Sequence, residues 1–211
     1  MLPMLDLDRL AATPISPTPF AHIVVPHFIP PAALADVVAD LPDIKGRGSF
    51  PTNAVKVGPR AQAMLNALEG PAFRAAVAAK FNLDLTDAPT MMTLRGNSGA
   101  KDGQIHCDSI AKRVTILLYL NPAHEAWARN EGCLRLLRGP DDLENYEVEV
   151  PPIDGTLLVF PNGPTTWHGH KQFIGRRYVV QLNYMTTDMK ARSEMRRHHV
   201  SAFVKRIMHA A

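Results

Sequence analysis

Eight short β-prone runs, crowded between Thr90 and Met185 and separated by turn residues, constrain this chain more than any other feature. They read TMMTLRG, GQIHCDS, RVTILLYLN, CLRLLRG, YEVEVPP, TLLVFPN, TTWHGH and RRYVVQLNYM. Closely spaced strands with turn signals are the pattern of a β-sandwich or barrel, and the lack of βαβ alternation disfavours a parallel dinucleotide-binding sheet. Before Thr90 the pattern changes. Phe20–Ile29 predicts a short strand, and Pro30-Pro31 opens a helix to Leu41, proline being tolerated in a first turn. Lys45–Pro59 reads as a loop, and helices follow over Arg60–Leu68 and Pro71–Phe81, parted by Gly70-Pro71. A last helix is expected from Asp188 to His209. The implied architecture is mainly β with flanking helices: a double-stranded β-helix (jelly roll) with N-terminal helices and a C-terminal helix. One domain is expected over 1–211, with mixed helical support (1–88), the jelly-roll core (89–187) and a basic helix (188–211).

Composition narrows the function classes. Hydrophobic residues make up 46% and charged residues 20% of 211, enough apolar surface for a core and too much for a disordered chain. The longest nearly apolar run, Val114–Leu120, is far short of the ~20 residues that cross a bilayer, so no membrane segment is expected. The N-terminus lacks a basic region followed by an apolar one, which argues against a secretory signal. Two cysteines cannot build a disulfide scaffold, and the expected setting is cytoplasmic. Of the formal charge of +3, the segment from Asp188 contributes +4, so everything before it sums to −1. No nucleic-acid partner is expected for such a body, and the basic tail reads as a solvated helix face.

The sharpest local motif is His106-Cys107-Asp108. In a strand, residues i and i+2 face the same way, so His106 and Asp108 would offer an imidazole nitrogen and a carboxylate oxygen together. By itself a His-x-Asp tripeptide is weak. A third ligand is available downstream in Thr166-Trp167-His168-Gly169-His170, and two histidines with one carboxylate make the facial triad of non-heme Fe(II) oxygenases. The strand after it places Arg177, Val179, Gln181 and Asn183 on one face, and an arginine there can pair bidentately with a carboxylate. Cys107 and Cys133 read as small hydrophobes rather than a redox pair, Trp167 as core, and Arg176 as a surface residue on the opposite face.

From Thr93 to Met185 the chain resembles the 2-oxoglutarate and Fe(II)-dependent dioxygenases, most closely their prolyl-hydroxylase-like branch. The residues that carry the likeness are His106-Cys107-Asp108, Lys112 through Asn121, Glu131-Gly132-Cys133-Leu134-Arg135-Leu136, Trp167-His168 and Arg177-Tyr178. The resemblance implies Fe(II) on His106, Asp108 and His168, because the family's second histidine lies nine residues before its oxoglutarate arginine. His168 and Arg177 have that separation, which leaves His170 a neighbouring histidine. It further implies Arg177 and Tyr119 on the distal carboxylate of oxoglutarate. Two departures stand out: Leu94-Arg95-Gly96-Asn97 lacks the tyrosine some branches carry there, and Asn183 replaces the second arginine of nucleic-acid dealkylating members.

What the resemblance implies is hydroxylation of an unactivated C–H bond with O₂ as oxidant and release of succinate and CO₂. An ascorbate requirement is left open. Gln181, Asn183 and Arg95 are expected to border a polar substrate, since two carboxamides on an inward strand face suit a wet cleft. The substrate is a small molecule or a peptide, with a protein prolyl hydroxylase as the main alternative, and oligomeric state is undetermined. A cupin-type metal protein would not need Arg177, a halogenase would lack Asp108, and a non-catalytic jelly-roll module would tolerate loss of the triad.

Overall fold

The computed structural model describes residues 4–122, 127, 129–188 and 193. Helices gather in the N-terminal half: α1 (Leu7–Ala12), α2 (Pro31–Ala39), α3 (Pro59–Glu69) and α4 (Pro71–Phe81). Strands β1 (Ile23–Val25) and β2 (Phe50–Pro51) interrupt them. The core follows as β3 (Thr90–Ser98), β4 (Lys112–Tyr119), β5 (Leu134–Leu137), β6 (Tyr146–Val150), β7 (Leu157–Pro161), β8 (His168–His170) and β9 (Gly175–Met185). Helices α2, α3 and α4 each begin with proline in the first turn, where its missing N–H costs no intrahelical bond.

Two antiparallel sheets face each other in the expected jelly roll. The larger has the order β1-β7-β4-β9-β3-β2 and the smaller β6-β5-β8. The alternation of β4 and β9 explains why their sequences are apolar on both faces. Val114, Ile116, Leu118 and Leu120 of the β4 region, with Tyr178, Val180, Leu182 and Tyr184 of β9, pack under the helices in the main core. Leu117, Tyr119 and Val179 point the other way and meet Leu134 and Leu136 of the small sheet. Each such leucine, fully buried, contributes about 1.5–3 kcal/mol, so the central strands hold both layers together.

Four local expectations change. The Gln104–Ser109 segment is not a strand: His106 forms only an isolated bridge with His168, and Asp108 lies beyond it in a loop. Gly103, at φ +92° and packed against His170, turns the chain before a ladder can extend. The Phe20–Ile29 strand shrinks to β1 because the chain turns at His27 (φ 52°). Helix α1 was not anticipated; its signal is Asp6, whose side chain accepts the Arg9 N–H at 2.8 Å as an N-cap. Within the expected loop over 45–59, Phe50-Pro51 pairs with Leu94 and Thr93 as an edge strand. The helix expected from Asp188 falls outside the described residues, save Asp188 and Ser193. Among the described residues no helix is long and apolar enough to cross a membrane.

Candidate active site

The open space between the two sheets is a cavity of about 410 Å³. Its floor comes from the inward faces of three adjacent strands in register. Tyr119, Val179 and Arg95 form one cross-strand row, and Leu117, Gln181 and Thr93 the next. Its far wall is β8 with the loop that carries His106 and Asp108.

His106, Asp108 and His168 each present one ligand atom, and these atoms lie within 4.8 Å of one another. The mutual His106–His168 backbone hydrogen bonds, both 3.0 Å, bring the two imidazoles to a ring separation of 4.4 Å. Nδ1 of His106 donates to the Gln104 carbonyl and Nδ1 of His168 to the Thr166 carbonyl, each at 2.9 Å. A carbonyl can only accept, so both rings are held with the Nε2 lone pair free for a metal. Asp108 accepts from Lys112 Nζ on one oxygen and from Thr115 Oγ1 on the other, both at 2.6 Å. Burial alone would raise the Asp108 carboxyl, but the Lys112 ammonium, His168 and the Thr115 hydroxyl together outweigh it and hold the group below the usual 3.8. His168 is pushed down to about 4, chiefly by burial, and is neutral at physiological pH. The donor set, two imidazoles and one carboxylate, fits Fe(II).

A second cluster closes the other end. Arg177 is 5% exposed, and its Nε donates to the Gly132 carbonyl at 2.9 Å. Its electrostatic neighbours are Tyr119, Arg95 and Cys133, with no carboxylate among them, and burial lowers its pKa. Its guanidinium lies 5.4 Å from the centre of the Tyr119 ring. The Tyr119 hydroxyl, completely buried and pushed up to about 12 by desolvation, interacts with the Arg177 guanidinium and meets no other polar partner among the described residues. A buried cation with no anion beside it is costly, and a bound carboxylate would satisfy it and accept from the Tyr119 hydroxyl as well.

Arg95 and Gln181 also line the cavity, Arg95 paired with Asp102 at 2.9 Å. Asn183 does not reach it: at 1% exposure it sits behind Thr115, within 3.4–3.5 Å of Thr115, Gln181 and the Met91 carbonyl. Its polarity thus meets internal partners rather than a wet cleft. Arg176 does lie on the opposite face, paired with Asp43. Trp167 is half-buried rather than core; Cys133 is buried and Cys107 half-buried. His170 is buried and lines the cavity outside the metal cluster, a neighbour of the ligands. Lys112 and Thr115, the partners of Asp108, went unassigned in the sequence; their spacings of four and seven residues gave no helical or strand reason to meet it.

Comparisons with known proteins now bear on this geometry. Residues 93–185 match the family described as the 2OG-Fe(II) oxygenase superfamily. The matched segment holds both ends of the cavity, from Thr93 through the triad to Arg177 and Gln181. Dioxygenases of this superfamily use Fe(II), 2-oxoglutarate and O₂, which agrees with the donor set. Among solved structures, a Pseudomonas putida prolyl-4-hydroxylase aligns at TM-score 0.55 and 19% identity, over 85% of this chain and 97% of its own. A Trichoplax adhaerens prolyl hydroxylase, in complex with a hypoxia inducible factor peptide, aligns at 0.53 and 19%, over 90% of each chain. A collagen prolyl hydroxylase of Paramecium bursaria Chlorella virus-1, in its 2OG complex, gives 0.54 and 12%, over 79% and 96%. At these identities the likeness is one of fold. Comparison with curated proteins gives no significant match.

The oxygenase site also predicts an acid-sensitive fold. Burial pushes both His168 and His170 down to about 4 from an ordinary 6.5. Between those values the unfolded chain binds protons that the native state refuses, so stability is complete above pH 6.5 and declines as pH falls toward 4. Each ring contributes at most about 1.4 kcal/mol per pH unit. Urea midpoints of the metal-free protein at pH 7.0, 5.5 and 4.5 should fall steadily. His170→Gln should flatten the slope by roughly half; an unchanged slope means that His170 is not the buried, neutral ring described.

Proposed function

We propose that the protein hydroxylates an unactivated C–H bond of a polar substrate, with Fe(II) on His106, Asp108 and His168 and oxoglutarate held by Arg177 and Tyr119. The observation that carries this reading is the pairing, in one cavity, of the three-ligand cluster with a buried arginine and tyrosine that lack an anion. When bound, the metal and cosubstrate supply O₂ activation and C–H oxidation, releasing succinate and CO₂. The chain's own work is to orient and to exclude. The Gln104 and Thr166 carbonyls fix the two imidazoles, Lys112 and Thr115 fix the carboxylate, and Leu117, Leu134 and Val179 keep part of the wall dry.

Anaerobically loaded protein, given oxoglutarate and O₂ with pools of small molecules, should release succinate above the substrate-free rate for at least one pool. No oxoglutarate consumption with any pool, or without substrate, would sink the reading. A peptidyl-proline substrate is the second reading, favoured by the fold's likeness to prolyl hydroxylases, one of them bound to a peptide. Proline-rich peptides in the same assay distinguish the two. His170→Ala should keep most of the turnover, because His170 Nδ1 is bound to the Lys171 carbonyl at 2.8 Å and its ring lies outside the cluster. A loss equal to that of His168→Ala would move the third ligand to His170.

A further inference from the structure

Lys112 is the first residue of β4, and its side chain, 13% exposed, lines the metal end of the cavity. The one acid that pairs with it among the described residues is Asp108, at 2.6 Å. The same carboxylate belongs to the metal cluster, and its second oxygen is already taken by Thr115. A dication at the cluster and the Lys112 ammonium would therefore share one negative charge. The two carboxylates of oxoglutarate do not relieve this: under the reading above, one goes to the metal and the other to Arg177. The remaining acid on the cavity wall, Asp102, is held by Arg95 and by the Gly99 N–H at 2.8 Å. The loaded cavity thus keeps an uncompensated cation beside the reacting end, and a half-buried charge of that kind seeks a partner.

We propose that the substrate brings that partner: an oxyanion, carboxylate or phosphate, which pairs with Lys112 and so sets the target C–H bond near the metal. Lys112 is then a specificity-determining residue and the substrate is acidic. Thr93 and Gln181 stand on the adjoining floor as neutral donors for the rest of a polar molecule. The inference rests on the oxygenase reading of the same site.

The test uses the full chain loaded anaerobically with Mn(II) and saturated with oxoglutarate, so that Arg177 is occupied. Sulfate, methylphosphonate and pivalate are titrated separately against sodium chloride of equal ionic strength, reading the melting temperature, while electron paramagnetic resonance counts bound Mn(II). At least one oxyanion should raise the melting temperature saturably. Its apparent Kd should weaken tenfold or more in Lys112→Met, with Mn(II) still bound, and should not change in the surface variant Arg176→Met. Pivalate acting alone assigns a carboxylate; sulfate and methylphosphonate acting without it assign a phosphate; all three support the shared chemistry. Lys112→Gln gives the same reading if the methionine variant does not fold.

Saturation by none of the anions, or equal binding by Lys112→Met, overturns the proposal. So does loss of Mn(II) from both lysine variants, which would make Lys112 a holder of Asp108 only. Wild-type protein that binds neither Mn(II) nor oxoglutarate before any anion is added fails at the earlier step and removes both readings.

Discussion

Asp108→Ala is expected to abolish stoichiometric Fe(II) binding and to lower oxoglutarate turnover by about 10³-fold or more, the equivalent of several kcal/mol of lost metal catalysis. Asp108 is the only carboxylate of the cluster, with the two imidazoles as its partners. Without it the site keeps two imidazoles and no negative charge to offset a dication. The same substitution strands the Lys112 ammonium, whose ion pair with Asp108 is mostly buried. Breaking such a pair from one side typically costs about 3–5 kcal/mol, so the metal-free variant should also melt earlier. Iron is measured by chelator assay after desalting, turnover by succinate release. His106→Ala and His168→Ala should match the iron loss, and a fully active Asp108→Ala enzyme with bound iron would refute the assignment.

Arg177→Ala should separate cosubstrate from metal. The guanidinium is buried with no carboxylate partner among the described residues, beside the buried Tyr119 hydroxyl. A dicarboxylate docking there gains charge-assisted hydrogen bonds in a dry setting, roughly twice as strong as neutral ones. Losing them should weaken oxoglutarate by about 2–4 kcal/mol, or roughly 30- to 1000-fold in Kd, with metal still bound. Anaerobic calorimetry on Mn(II)-loaded protein measures this directly. Arg176→Ala, one residue away but facing Asp43 on the surface, should leave the affinity as it was. An unaltered Kd in Arg177→Ala would mean that the cosubstrate binds elsewhere.

Much of this site was legible because strand periodicity is rigid. Once Arg177 is placed inward, Val179, Gln181 and Asn183 must follow, and they do, while Tyr178, Val180, Leu182 and Tyr184 pack under the helices. Position along the strand was another matter. Gln181 reaches the cavity and Asn183 does not, because Thr115, its neighbour on β4, lies over it and carries the Asp108 carboxylate of the loop. The His106 motif shows the reverse case. It was read as a strand that would align His106 with Asp108; the chain there is a loop, yet both side chains converge, because the His168 backbone pins His106 and the Lys112 and Thr115 side chains pin Asp108.

The sequence by itself determined the architecture class and the residue types that gather around the cavity. Short alternating runs can bury their apolar faces only in facing sheets, and a His-x-Asp, a distant histidine and an arginine nine residues later are residue types at fixed spacings. The tertiary structure alone decided which polar groups are left without partners. That Tyr119 and Arg177 share a buried end lacking an anion depends on the register between β4 and β9 and on the Gly132 carbonyl that holds the guanidinium. That one carboxylate must serve both the metal cluster and Lys112 depends on how a loop folds back over the first turn of β4. Hydrogen-bond satisfaction and burial arise from contacts between segments far apart in the chain, and no local pattern encodes them.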